Sequence, residues 1–194
     1  MIARKDLTVK TLSYFHHFHT PLTLQQIHIF YPKAISLHSL EKHVKLLCKE
    51  KTLHKDFIDI DLYYTLGGIR EIDRYKKARA LSKEKTQRAQ TYLSSLERVP
   101  VIQFIGLSGS LAMDSAKEND DIDLFIISAD RRMWTARFFS IILAYIMGLK
   151  RRRGTRSDKD KVCLNLFFDG RDVSIPIEKR NAFVGHELLQ MKPI

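Results

Sequence analysis

Four residues near the middle of the chain suit the chemistry of phosphates and metal ions. Gly109 allows the backbone to approach an anion closely, and the hydroxyl of Ser110 can donate a hydrogen bond to one. Ten residues separate Ser110 from Asp121, and Asp123 follows two positions later. Two carboxylates on one face of a strand repel each other unless a cation lies between them, and such hard oxygen ligands suit Mg²⁺. The chemistry indicated is metal-assisted handling of a phosphate group.

Two strands and an intervening turn must position these side chains. Residues 101–107 form a short apolar run that predicts a buried strand, and the small residues 108–110 interrupt it. A helical pattern occupies residues 111–116, so the turn lies at a helix N-terminus, where free N–H groups attract anions. Residues 124–127 are apolar again and predict a second strand directly after the paired acids.

The order Gly-Ser, ten residues, Asp-x-Asp between apolar flanks resembles the signature of the DNA polymerase β-like nucleotidyltransferase superfamily, over residues 100–130. The resemblance implies that Gly109 and Ser110 bind the β- and γ-phosphates of a nucleoside triphosphate. It also implies that Asp121 and Asp123 hold the Mg²⁺ or Mn²⁺ ions of a nucleotidyl transfer reaction.

A plainer interpretation of the same acids stays open. Residues 118–123 can be a solvated acidic patch at the end of a strand. Asp120 is interpreted as a loop acid, because neighbouring residues of an extended chain point in opposite directions and Asp121 points toward the site.

The resemblance further implies a third carboxylate on a later strand, and here the sequence departs from the family. Residues 161–168 have strand character, and Asn165 lies between Leu164 and Leu166 where the acid is expected. An amide oxygen can coordinate Mg²⁺ but cannot accept a proton. Three alternatives stay open: a different group completes the site, transfer is slow, or the fold has kept nucleotide binding and lost transfer.

The net charge of the 194-residue chain is +11, and most of it lies in the first half. Residues 1–99 contain 18 Lys and Arg against 10 Asp and Glu, a surplus of 8, which leaves 15 against 12 for the remainder. Such a surplus favours nucleic acid as a partner. Cys48 and Cys163 are predicted to be buried thiols of a protein in the reducing cytoplasm, because they lack metal-like spacing and no signal peptide opens the chain.

The front of the chain is similar to a winged helix. Three helical patterns are predicted, the second capped by Thr23 with Gln26 and the third starting near Ser36, and a hairpin follows over residues 52–66. The third helix is expected to bury Leu37, Leu40, Val44, Leu46 and Leu47. Its outer face would carry the candidate DNA-contacting residues Lys42, Lys45 and Lys49. A packing module with no nucleic-acid partner is the alternative, because the hairpin carries three acids, Asp56, Asp59 and Asp61.

The predicted organisation is α+β: a winged-helix-like domain over residues 1–66, a helical connector over 67–98, and a nucleotidyltransferase domain with a mixed β-sheet flanked by helices over 99–194. The basic residues of the connector, among them Lys85 and Arg88, either line a phosphate path or form a solvated face. An apolar helix near residues 131–147 is expected to be deeply buried, and its run 138–149 is too short to cross a bilayer. A basic loop with Arg151, Arg152 and Arg153 follows and is a second candidate nucleic-acid or nucleotide contact.

Two functions are consistent with these features. The preferred one is Mg²⁺-dependent transfer of a nucleoside monophosphate from a triphosphate to a hydroxyl of RNA, protein or a small molecule, with Asp121, Asp123 and Asn165 at the reaction centre. The alternative is a non-enzymatic, winged-helix nucleic-acid-binding regulator whose second domain senses nucleotide or has lost transfer. The intact Gly-Ser and Asp-x-Asp motifs favour the enzyme, and Asn165 favours the regulator.

Overall fold

The computed structural model describes residues 4–151 and 159–194, without the side chains of Arg4, Lys5, Asn165, Ala182 and Phe183. Its contacts divide the chain into an N-terminal unit, Met1–Arg79, and a C-terminal unit, Ala80–Ile194. The fold is mixed α and β, and a mixed sheet with flanking helices is present as predicted. In the described ranges, no helix is both long enough and apolar enough to cross a bilayer.

The N-terminal unit consists of short helices and a small antiparallel sheet. Its elements before the long helix are α1 (Arg4–His17), β1 (Leu22–Thr23), α2 (Leu24–Ile29), α3 (Leu37–Lys49), β2 (His54–Ile58) and β3 (Asp61–Thr65). The strands lie in the order β1-β3-β2, and every pairing is antiparallel. The predicted hairpin is therefore present, with its turn at Asp59, whose φ is 54°.

Local capping signals place the helix starts where the sequence predicts them. The backbone N–H of Thr23 donates to Oε1 of Gln26 at 2.8 Å, and the Thr23 hydroxyl accepts from the backbone of Gln26, so the capping box is confirmed. Ser36 caps α3 by accepting from the backbone of Ser39.

The inner face of α3 is narrower than predicted. Leu40, Val44 and Leu47 are buried, but Leu37 and Leu46 are exposed, so their predicted burial is wrong. The three buried residues recur at spacings of four and three, which keeps them on one stripe of the helix and leaves the other two leucines outside it.

A single helix of 29 residues, α4 (Ile69–Glu97), follows the hairpin. Its first turns contribute Ile72 and Tyr75 to a cluster with Ile58 and Tyr63 of the N-terminal unit. Its later turns contribute to the core of the C-terminal unit through Ala89, Tyr92, Leu93 and Leu96. The predicted connector is thus one element that supplies side chains to the cores of both units.

The first turn of α4 is anchored by a buried carboxylate. Glu71 accepts hydrogen bonds from the backbone N–H of Gly67 at 3.0 Å and from the Thr65 hydroxyl. Nδ1 of His16 lies 2.9 Å from the same carboxylate. These partners compensate the loss of water around a charge that would otherwise destabilise the unit.

A four-stranded mixed sheet forms the centre of the C-terminal unit. Its elements are β4 (Ile102–Leu107), α5 (Gly109–Ala112), β5 (Ile122–Ser128), α6 (Met133–Ile146), β6 (Val162–Asp169), a 3-10 turn (Ile177–Lys179), α7 (Ala182–Gln190) and β7 (Lys192–Pro193). The strand order is β6-β5-β4-β7. Strand β5 is antiparallel to β4 and parallel to β6, so the starts of β5 and β6 lie at the same edge.

Helix α6 is not deeply buried, and that prediction is wrong. Its buried residues are small, Ala136, Ser140 and Ala144, and recur at the helical spacing of four. Most of its large apolar side chains are exposed, with exposed fractions of 74% for Trp134 and 72% for Ile146, whereas Leu143 packs partly buried against the core. Small residues let the helix approach its neighbours closely: the hydroxyl of Tyr92 on α4 donates to the backbone oxygen of Ser140 at 2.9 Å.

Candidate metal and phosphate site

The paired acids lie at the start of β5. Asp121 directly precedes the strand, and Asp123 is its second residue. One carboxylate oxygen of each lies within 4.8 Å of the other and of the Sγ atom of Cys163. Asp121 and Asp123 are half-buried, whereas Cys163 is buried. Two carboxylates and a thiol therefore converge at one edge of the sheet.

The parallel pairing of β5 with β6 explains the presence of the thiol. Asp123 pairs with Cys163, and Phe125 pairs with Leu166, so the register shifts between these two pairs. Asn165, the predicted counterpart of the third acid, lies within this shift, and its side chain is outside the described part of the structure. The residue that β6 brings beside Asp123 is thus a cysteine.

Sequence reasoning treated Cys163 only as a buried thiol. A usable signal was its position: Cys163 is the second residue of its strand, as Asp123 is of the neighbouring one. Residues at equal distances from the starts of adjacent parallel strands lie side by side when the strands start level.

Burial and mutual contact shift the pKa values of this cluster. The pKa of Asp123 is raised, chiefly by burial and further by the charges of Asp121 and Asp120, although the hydrogen bond with Cys163 acts in the opposite direction. The pKa of Cys163 is raised to about 12 by burial and by its contact with Asp123. Without a cation, the thiol therefore stays protonated at neutral pH and donates to the carboxylate.

The predicted phosphate turn lies against the same acids. Gly109 has φ of 61°, and a Cβ atom built on it would overlap the carboxylate of Asp123. Glycine is favoured there, because a side chain would strain the left-handed backbone conformation and would force the Asp123 carboxylate to move. Helix α5 is shorter than the predicted helical pattern and ends at Ala112.

Asp120 holds the turn in place. Its Oδ2 accepts from the Ser110 hydroxyl at 2.8 Å and from the backbone N–H of Lys117 at 2.9 Å. The residue interpreted as a loop acid thus links the Gly-Ser turn to the loop that precedes Asp121. The Ser110 hydroxyl is hydrogen-bonded to this aspartate, and phosphate binding by Ser110 stays a prediction.

A buried lysine holds the loop that precedes Asp121. The side chain of Lys85 has no exposed surface, and its Nζ donates to the backbone oxygens of Glu118 at 2.9 Å and Asp120 at 2.8 Å. Its third partner is Oδ1 of Asp160 at 2.8 Å, and Nη1 of Arg88 contacts Oδ2 of the same aspartate at 2.8 Å. Lys85 and Arg88 were candidates for a phosphate path, but both are engaged in this network.

The position of Lys85 in the sequence held a signal. It precedes Ala89, Tyr92 and Leu96 at helical spacings of four, seven and eleven, so it lies on the buried stripe of α4. A cation on an apolar stripe needs acceptors, and here the loop carbonyls and Asp160 supply them. The pKa of Asp160 is lowered: burial alone would raise it, but the bonds from Lys85 and Arg88 outweigh that effect.

The basic residues predicted to contact nucleic acid or nucleotide lie in different parts of the chain. Arg151 is near the paired acids, with Nη1 3.2 Å from Oδ2 of Asp121. Arg152 and Arg153 lie outside the described residues. The three lysines proposed for DNA contact belong to α3 in the N-terminal unit and are exposed: Lys42, Lys45 and Lys49.

Helix α7 carries a further acid, Glu187, whose pKa is affected by the charge of the cluster. The pKa of Glu187 is raised by burial and, in addition, by the charge of Asp123. Lys192, just beyond the helix, pairs with Asp114 at 2.6 Å. The sequence reasoning did not single out Glu187.

The donor set fits a divalent cation. Two carboxylate oxygens are suitable ligands for Mg²⁺ or Mn²⁺, and a thiol is a ligand for softer metals such as Zn²⁺. Comparison of the chain with protein-family models, curated proteins and solved structures finds no match.

Proposed function

We propose that the protein is a Mg²⁺-dependent nucleotidyltransferase that moves a nucleoside monophosphate from a nucleoside triphosphate to a hydroxyl group. The observation that carries the proposal is the meeting of the two motifs: the Gly109 backbone lies directly against the Asp123 carboxylate, and Ser110 is linked to the same loop through Asp120. A phosphate chain on the turn would thus lie beside a cation held by the acids. The resemblance to the DNA polymerase β-like superfamily supports this assignment.

In this mechanism the paired acids and the turn have separate tasks. Asp121 and Asp123 would hold the divalent cation, which when bound offsets the negative charge of the triphosphate. Gly109 would admit the phosphate chain close to the backbone, and the Ser110 hydroxyl would exchange its bond with Asp120 for one to a phosphate oxygen. Arg151, now 3.2 Å from Asp121, would contact phosphate once the cation takes its place beside that acid.

The proposed reaction is slow. General-base assistance typically contributes about 10²- to 10⁴-fold, and the side chain that β6 brings beside Asp123 is a thiol in place of a carboxylate base. Asn165, on the same strand, offers an amide, which cannot accept a proton. We therefore expect nucleotide binding to be strong relative to turnover.

A direct test compares triphosphate binding and single-turnover transfer with and without Mg²⁺. Each α-labelled nucleoside triphosphate would be offered with RNA, protein extract and small-molecule acceptors. In the variant Asp121→Asn/Asp123→Asn, we expect the Mg²⁺ dependence of binding to disappear and transfer to be lost. Asp130→Asn, an exposed acid just after the same strand, is the matched control and should behave as wild type. Equal binding by wild type and the double variant at all Mg²⁺ concentrations would refute the proposed site.

The second candidate function is a nucleic-acid-binding regulator, and an observation in the N-terminal unit favours it. Lys76 pairs with Asp56 at 3.4 Å and Arg79 pairs with Asp59 at 2.7 Å, so two of the three hairpin acids are locally neutralised. These ion pairs offset much of the negative charge that would disfavour DNA binding by a winged helix through α3 and the hairpin. Duplex binding without any nucleotidyl transfer would favour the regulator over the enzyme.

A further inference from the structure

The thiol of Cys163 completes a ligand set that differs from an all-oxygen site. Atoms that bind one ion at about 2.0–2.3 Å lie no more than about 4.6 Å from each other. The two carboxylate oxygens and the Cys163 sulfur all lie within 4.8 Å of one another. Small side-chain adjustments therefore suffice for all three to bind a single cation.

We propose that Cys163 is the third protein ligand of the cation at Asp121 and Asp123, and that the site binds a thiophilic divalent cation of the Zn²⁺ and Co²⁺ kind more tightly than Mg²⁺. The inference rests on the proposed function, because it uses the same two acids. It extends that function by assigning the group that stands in the place of the third carboxylate and by naming the class of metal that this group selects.

The physical reason is the mismatch between sulfur and Mg²⁺. Mg²⁺ requires oxygen ligands in near-octahedral geometry and retains several waters, so a thiol adds little to its binding. Late first-row ions accept sulfur together with carboxylate oxygen, and their affinity for a given site exceeds that for the earlier ions. On binding such an ion, Cys163 would release its proton to solvent and exchange its hydrogen bond with Asp123 for a metal bond.

The surroundings fit three protein ligands and an open side. Cys163 is 6% exposed, whereas Asp121 and Asp123 are half-buried. Three protein ligands with a further position open to water or substrate are typical of a catalytic metal site. Arg151 contacts Asp121 at 3.2 Å and is the charged group that the cation would displace.

The test uses Co²⁺ as a spectroscopic probe with the full chain. Titration of wild type with Co²⁺ should produce a sulfur-to-cobalt charge-transfer band in the near ultraviolet. The nearly isosteric variant Cys163→Ser should lose that band and still bind Co²⁺ through oxygen. Cys48→Ser, which alters the other cysteine of the chain, is the matched control and should retain it.

Competition with Mg²⁺ measures the selectivity. We expect the ratio of Co²⁺ to Mg²⁺ affinity to fall by about tenfold or more in Cys163→Ser, by analogy with the loss of a supporting group at a metal site. Asp123→Asn should weaken the charge-transfer band, because the thiolate and the carboxylate bind the same ion. A band that persists in Cys163→Ser, or is unaffected by Asp123→Asn, would overturn the proposal.

Failure of this inference can be separated from failure of the proposed function. If wild type binds triphosphate in a Mg²⁺-dependent manner but Co²⁺ gives no sulfur band, Cys163 is not a ligand and the enzyme proposal stands. If neither Mg²⁺-dependent triphosphate binding nor a sulfur band is observed, both are refuted.

Discussion

At the scale of single residues, Lys85 is the charged group on which the position of the acidic loop depends. Its three acceptors belong to residues 118, 120 and 160, far from it in the chain. A buried ammonium costs several kcal/mol unless paired, so this network both compensates a charge and ties two loops to α4. The loop in question ends at Asp121, and Lys85 thereby acts as a positioning residue for the site.

Replacing Lys85 should destabilise the C-terminal unit. We expect Lys85→Met to lower the free energy of unfolding by about 3–5 kcal/mol, because two carbonyl groups and Asp160 lose a buried donor. Urea unfolding followed by circular dichroism measures the change. Lys83→Met, an exposed lysine one half-turn earlier, is the control and should stay within about 0.5 kcal/mol of wild type. Equal effects of the two changes would contradict the role of Lys85.

The partner of Lys85 makes stability depend on pH. The folded-state pKa of Asp160 is lowered, so its contribution is present above the unfolded pKa of about 4 and is lost as the pH falls through the lower folded value. We therefore expect the stability difference between wild type and Asp160→Asn to be largest at about pH 5–7. It should shrink as the pH is lowered below roughly 4. Urea unfolding of both proteins over this range provides the measurement, and a difference independent of pH would contradict the pairing.

At the scale of elements, α6 shows that an apolar helix can bury its small residues and leave most of its large apolar side chains exposed. Its buried residues are alanine and serine, and the aromatic residues Trp134 and Phe138 are exposed. Because the small residues let the helix approach its neighbours closely, the effect of a substitution depends on the face of the helix that carries it. Volume added on the contact face must displace neighbouring strands or α4, whereas volume removed from the outer face leaves the packing intact.

This arrangement predicts an inverted pattern of mutational effects. Ala144→Leu should destabilise the protein by about 1–3 kcal/mol through overpacking, although it makes the helix more apolar. Trp134→Gln should change stability by no more than about 0.5 kcal/mol, although it removes the largest side chain of the helix. Thermal unfolding of the two variants measures both effects, and a larger loss for Trp134→Gln would show that the outer face is the packed one.

At the scale of the whole molecule, part of the positive charge surplus of the first half lies on exposed lysines of α3. Lys42, Lys45 and Lys49 recur at spacings of three and four on α3 and are exposed, while Leu40, Val44 and Leu47 occupy the buried stripe. Lys45 also pairs with Glu41 at 2.7 Å, so the face is less basic than a count of lysines indicates. The face is nevertheless the natural one for phosphate contacts.

If this face binds duplex DNA, its lysines should determine the salt dependence. We expect the full-length triple variant Lys42→Gln/Lys45→Gln/Lys49→Gln to bind more weakly, and the slope of log affinity against log salt to become shallower by about 2.7, at roughly 0.9 per phosphate contact. Fluorescence anisotropy at several salt concentrations measures both quantities. The control replaces three exposed lysines elsewhere, Lys83, Lys117 and Lys179, with the same change of net charge. Equal slopes for both triple variants would indicate nonspecific attraction to the whole protein.

What the sequence determined by itself is local. Thr23 with Gln26 and Ser36 with Ser39 mark helix starts through hydrogen bonds three residues apart, and the mixed sheet follows from apolar runs separated by turn residues. The convergence of Gly109 with Asp123 was also accessible, because a strand, a tight turn and the next antiparallel strand leave little freedom for where the turn can lie.

The tertiary structure alone decided which residues meet across long separations. Asp123 pairs with Cys163 through the register of two parallel strands that lie forty residues apart in the chain. The register shifts between the pairs Asp123–Cys163 and Phe125–Leu166, and no local pattern encodes that shift. The same holds for Lys85, whose acceptors come from two distant loops, and for α6, where apolar residues surround the helix and only packing selects the small ones for contact. A periodic pattern specifies a face that can be buried, but the neighbours that bury it are chosen by the fold as a whole.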